Sequence, residues 1–137
     1  MTATKTATRP APVIVTAPGY ARVVRGRVHI DATFASSRPG VAPHPITVDD
    51  SGRVLNHECP ATVPCWHVRS ADAVVLAWHR LVWEPRPLAQ LLRRQQDIAH
   101  FIAVMGDRIE TEDHDACLLE LEALAALVRQ RTESEAA

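Results

Sequence analysis

The stretch NHECPATVPCWHV, residues 56–68, sets His57, Cys59, Cys65 and His67 close together and uses two of the chain's three cysteines. Thiolate and imidazole are the donors that zinc takes in tetrahedral sites, and two thiolates would neutralise a dication. Other readings of the cysteines stand beside this one: small buried hydrophobes, a reversible disulfide, or a catalytic thiol pair. Five residues separate Cys59 from Cys65, unlike the Cys-x-x-Cys of redox enzymes, and no βαβ pattern surrounds them. The donor set therefore makes one structural Zn²⁺, held by His57, Cys59, Cys65 and His67, the leading expectation. Four protein ligands leave no open position for water, so the metal is expected to fold the chain rather than to hydrolyse a substrate. Metal binding in small zinc modules supplies on the order of 10 kcal/mol. No Gly-rich phosphate loop, Gly-x-Ser-x-Gly or paired-carboxylate motif is present, and ETEDHD (residues 110–115) reads as a helix start. A non-enzymatic protein is expected.

Such ligands need a scaffold. In YARVVRGRVHIDATF, Val28, Ile30 and Ala32 alternate with Arg27, His29 and Asp31, a strand pattern interrupted near Gly26. Residues 46–58 read as a hairpin: ITV, the turn DDSG, then RVLNHEC. On an extended strand residues two apart face one way, so His57 and Cys59 would share a side. Pro60 and Pro64 stiffen the loop to Cys65, and Trp66 would turn away from the ion as a packing anchor. Beyond it, Val68, Ala71, Val75, Trp78 and Val82 recur at helical spacing until Glu84-Pro85-Arg86-Pro87 ends the helix. A second helix starts near Pro87, carries Leu88, Leu91, Leu92, Ile98, Ala99, Ile102 and Met105 on one face, and stops at Gly106. A third is predicted from about Thr111 to Arg131, with Leu118, Leu121, Leu124 and Val128 as its stripe. Cys117 lies on its apolar side and reads as core. His29, His44, His79, His100 and His114 read as ordinary, and His79 is too far along its helix to share an ion with His67.

Together HECP, PCWH and the lead-in SSRPG…HPITVDDSGRV make residues 22–80 resemble the SWIM-type zinc finger, a Cys-x-Cys…Cys-x-His pattern on a β-hairpin followed by a helix. The resemblance places Cys59, Cys65 and His67 at the second, third and fourth ligand positions, with His57 where the family carries cysteine. It implies a small β-hairpin/helix zinc finger; with the two helices read from periodicity beyond it, the expected fold is α+β, the finger followed by a C-terminal antiparallel helical hairpin. It also implies DNA or protein binding, since SWIM-like domains are often found beside helicase-type ATPases or transposases. The expected organisation is an Ala/Thr/Pro-rich disordered tail (1–18), the SWIM-like domain (19–84), the helical hairpin (85–131) and a short disordered tail (132–137).

Charge divides along the chain. Residues 1–83 hold nine Lys/Arg against five Asp/Glu, and residues 84–137 hold six against eleven. Arg22, Arg25, Arg27, Arg53, Arg69 and Arg80 make a basic set near the finger, which suits nucleic-acid phosphate; it also suits plain solvation, and no aromatic ladder for stacking accompanies it. The primary expectation is a nucleic-acid-binding or accessory module. The second is a protein–protein adaptor or homo-oligomer whose acidic helical hairpin, 85–131, carries the interface. With no apolar run of membrane-spanning length and no secretory h-region, a cytoplasmic location without membrane contact is expected.

Overall fold

The computed structural model describes residues 14–34, 44–57 and 71–136, with side chains from Ala21 to Thr33, Pro45 to Asn56 and Ala71 to Glu135. Four strands, β1 (Ile14–Val24), β2 (Arg27–Phe34), β3 (His44–Asp49) and β4 (Val54–His57), form an antiparallel meander in the order β1-β2-β3-β4. Three helices follow: α1 (Ala71–Trp83), α2 (Leu88–Met105) and α3 (Thr111–Ala136), with a short 3-10 turn, Gly106–Arg108, between the last two. The α+β architecture with a C-terminal helical hairpin holds. No described helix is long and apolar enough to cross a membrane.

The interruption near Gly26 is a tight hairpin. Val24 pairs with Arg27, so Arg25 and Gly26 form a two-residue loop, and both have positive φ (52° and 79°). That is the type I′ geometry whose twist matches the flanking strands. Farther back, Thr16 pairs with Ala32 and Ala21 with Ile30, so a bulge lies between Thr16 and Ala21. The Pro18-Gly19 pair inside it has the residue types that bulges tolerate. Because β1 begins at Ile14, residues 14–18 belong to the sheet and not to a disordered tail; residues 1–13 lie outside the described residues.

The β3–β4 hairpin closes on Asp49, which is buried. Its carboxylate accepts hydrogen bonds from the Ser51 amide (3.0 Å), the Ser51 hydroxyl (2.6 Å) and the Arg53 amide (3.1 Å). Each satisfied donor offsets the desolvation of the charge, and the turn is pinned. Gly52 needs its positive φ of 88° here, and a Cβ would collide with the Asp72 carboxylate at the start of α1.

One face of the sheet meets helices. Ile30, Ala32, Ile46 and Val48 pack with Ala71, Val74 and Val75 of α1 and with Leu119 of α3. A second core, Leu91, Ile98, Leu124 and Leu127, joins α2 to α3. Helix α3 is thus the centre of the helical layer, with α1 on one side and α2 on the other. Arg80 reaching Gln130 and Arg131 reaching the Glu84 and Arg86 carbonyls show that α1 runs parallel to α3; the Arg94–Glu120 ion pair (2.8 Å) fixes α2 as antiparallel.

This placement corrects two apolar stripes. On α3 the buried set is Leu119, Ala123, Leu124 and Leu127, while Leu118 is 46% exposed. Two partner helices demand two apolar faces, which a single-stripe reading merges into one. On α2, Leu91 and Ile98 are buried but Leu92 and Ala99 are exposed, because among the described residues α3 is its main partner, joined by Trp83 of α1, and these cover a narrow stripe. Val82 of α1 is exposed too. Helix α3 continues to Ala136, so most of the stretch 132–137 is helical rather than a disordered tail. The helical hairpin is also joined to the sheet through Leu119, so 19–84 and 85–131 share a core.

Candidate functional site

Strand β4 ends at His57, whose backbone is in register with Ile46. Helix α1 resumes at Ala71, and Ala71 and Ile46 belong to the same core. Of the expected ligands only the His57 backbone is described; Cys59, Cys65 and His67 lie outside the described residues. As donor chemistry, two thiolates and two imidazoles suit Zn²⁺. Among the described residues no group of three or more His, Cys, Asp or Glu is arranged to hold a metal ion.

Five of the six candidate phosphate-binding arginines are described, and four of them have partners within the chain. Arg27, half-buried, donates to Asp50 (2.8 Å) and Asp113 (2.6 Å) and lies 3.8 Å from Glu112. Arg53 lies 3.5 Å from the same Glu112. Arg22 pairs with Asp31 across β1 and β2, and Arg80 donates to Gln130. Arg25 has no ion-pair partner among the described residues, and Arg69 lies outside them. The basic front and acidic back of the sequence thus meet inside one molecule: the start of β2 and the β3–β4 turn clasp the acidic first turn of α3. The carboxylates of that turn also sit where the helix dipole favours them.

The ionisation states follow from these contacts. Burial alone would lower the Arg27 pKa, but Asp113 and Asp50 outweigh it and hold the guanidinium above its ordinary value. Burial would likewise raise Asp31; the Thr47 hydroxyl (2.7 Å) and Arg22 hold it below the usual carboxylate range. Glu120 raises the Arg94 pKa. Burial pushes the Cys117 thiol up, which favours its protonated form where it packs against the α2–α3 core one turn before Leu121.

One feature escaped the sequence reading, and a second was expected only as a helical-hairpin interface, without its lining. His79 is 6% exposed, its ring lies 4.7 Å from that of Trp78, and its Nε2 has no hydrogen-bond partner among the described residues. Its position four residues after Val75 on the buried face of α1 was the available signal. The other is a face of the helical hairpin turned away from α1. Leu92 (42% exposed), Ala99 and Ala103 line it on α2, and Leu118 and Ala125 line it on α3. No charged residue interrupts the α2 stripe 88, 92, 95, 96, 99, 103.

No family model, no curated protein and no solved structure matches this chain.

Proposed function

We propose that this protein is a non-enzymatic protein-interaction module: a zinc-clamped finger whose attached helical hairpin offers a docking face. The observation that carries the reading is the exposed, uncharged face on α2 and α3. Leu92 and Leu118 are exposed large apolar residues on this face, with Gln95 and Gln96 among the α2 residues, and exposed apolar patches rimmed by polar residues are often binding sites. The SWIM resemblance supplies the zinc half of the reading, with His57, Cys59, Cys65 and His67 as ligands. In that role the ion ties the end of β4 to the approach to α1.

Nucleic-acid binding, the primary expectation from sequence, gets less support. Arg22, Arg27 and Arg53 spend their charge on carboxylates of the chain itself. An arginine already paired releases no net counterion from a phosphate backbone without first breaking its pair.

Two measurements test the reading. Elemental analysis should find one zinc per chain, and a strong chelator should lower the melting midpoint; metal-free protein with an unchanged midpoint rejects the clamp. A gel shift with mixed-sequence DNA and RNA should show no salt-sensitive complex. A complex that weakens with salt and vanishes when Arg25 and Arg69 become Ala would return the function to nucleic acid.

A further inference from the structure

We infer that the partner docking on the hairpin face is a second copy of this chain, a proposal that rests on the interaction-module reading and names its partner. The argument is one of size and arrangement. Arg94, paired with Glu120, lines a pocket with Trp83 of α1, which puts that edge of the hairpin on the side of α1. Helical periodicity then puts Leu88, Leu92, Ala99 and Ala103 of α2 on the opposite side, together with Leu118 and Ala125 of α3.

Because the helices are antiparallel, the α2 leucines lie at one end of the face and Leu118 at the other. Ala125 sits beside the α2 leucines, and Ala99 and Ala103 sit beside Leu118. Large residues occupy one diagonal of the face and small residues the other. A two-fold axis in the plane of the interface, parallel or perpendicular to the helices, superposes leucine on alanine at every corner. Such self-matching is what an isologous dimer requires, since each patch must complement itself.

The stripe carries no charge on α2, where Gln95 and Gln96 lie between the leucines and the alanines; on α3, Glu122 and Arg129 follow Leu118 and Ala125 by one turn, and with the axis parallel to the helices they face the partner's uncharged α2 stripe. Two like molecules therefore approach without like charges buried between them. The area is adequate. Helix α2, 18 residues long, spans about 27 Å. With a neighbour at about 10 Å, the pair presents a footprint near ~500 Å² per copy, and the two copies together reach the ~1,000 Å² that marks a specific interface. The product is a four-helix layer with the two sheets on its outer sides.

Sedimentation equilibrium on the full chain, from low to high micromolar, tests this. The expected result is a reversible monomer–dimer equilibrium. Leu118→Glu should abolish it, and Ala125→Leu should raise Kd at least about tenfold by filling the small corner while keeping a good helix former. Phe101→Ser, on the flank beside Arg94 and Asp97, should leave Kd unchanged. Circular dichroism checks that each variant keeps its helices, and Ala125→Leu carries the test if Leu118→Glu fails to fold. A monomer at every concentration overturns the pairing, as does a dimer that Ala125→Leu tightens or that Phe101→Ser weakens equally. A monomer that holds zinc and ignores nucleic acid sinks only the pairing. Salt-sensitive nucleic-acid binding lost with Arg25 and Arg69 sinks the underlying reading, whatever the oligomeric state.

Discussion

Arg25 sits where the chain would rather have asparagine or glycine. Its φ of 52° places an ordinary L-residue in the left-handed region at the first loop position of the β1–β2 hairpin. That conformation costs about 1–2 kcal/mol for a residue that cannot hydrogen-bond locally. Arg25→Asn should therefore stabilise the protein by about 0.5–1 kcal/mol in urea unfolding, with an unchanged slope. His79 gives a second prediction at this scale. Burial lowers its pKa below the ordinary 6.5; Glu120 and Asp50 pull the other way and Arg94 adds to the lowering. The unfolded chain therefore binds a proton that the folded chain refuses. His79 costs no pH-dependent stability above about pH 6.5; as pH falls below that, stability declines until the lower folded pKa is reached. His79→Leu should flatten that acid limb of the stability profile. It should also cost little at neutral pH, because it removes an imidazole nitrogen that has no partner among the described residues.

Between elements, the main electrostatic joint is Arg27 with Asp50, Glu112 and Asp113. Removing its guanidinium leaves three carboxylates facing one another across the sheet–helix contact. Arg27→Met should cost about 1–2 kcal/mol, more at low salt than at high. Arg53→Met, at a largely exposed pair, should cost under about 0.5 kcal/mol by the same thermal melt. These pairings show where the sequence could be read and where it could not. The ends of α2 were legible because Pro87 and Gly106 act locally, and Gly106 caps the helix with its amide on the Ile102 carbonyl. The β3–β4 hairpin and the break near Gly26 were legible for the same reason. The charge asymmetry was plain, but its resolution was not: Arg27 and Asp113 are brought together only when α3 folds back across the start of the sheet. The two-sidedness of α3 was hidden because periodicity reports that a helix has apolar residues, not how many neighbours it serves. Of the proposed metal site, the strand that reaches His57 was legible, although the sequence ran it on through residues 58 and 59; all four ligands rest on donor chemistry and on the family pattern.

At the scale of the whole molecule, sheet and helices form one cooperative body. Leu119 completes the core beneath Ile30 and Val48, and the same helix holds Leu124 and Leu127 against Leu91. A chain ending before Thr111 should lose the dispersed amide spectrum of the sheet as well as the helical signal, even with zinc supplied. The same long-range closure has a meaning for synthesis. A ribosome makes the four strands before either helix that covers them, so the nascent meander emerges with its apolar side open until α1 follows, and Leu119 of α3 comes later still. For that interval the strands depend on a chaperone or on speed.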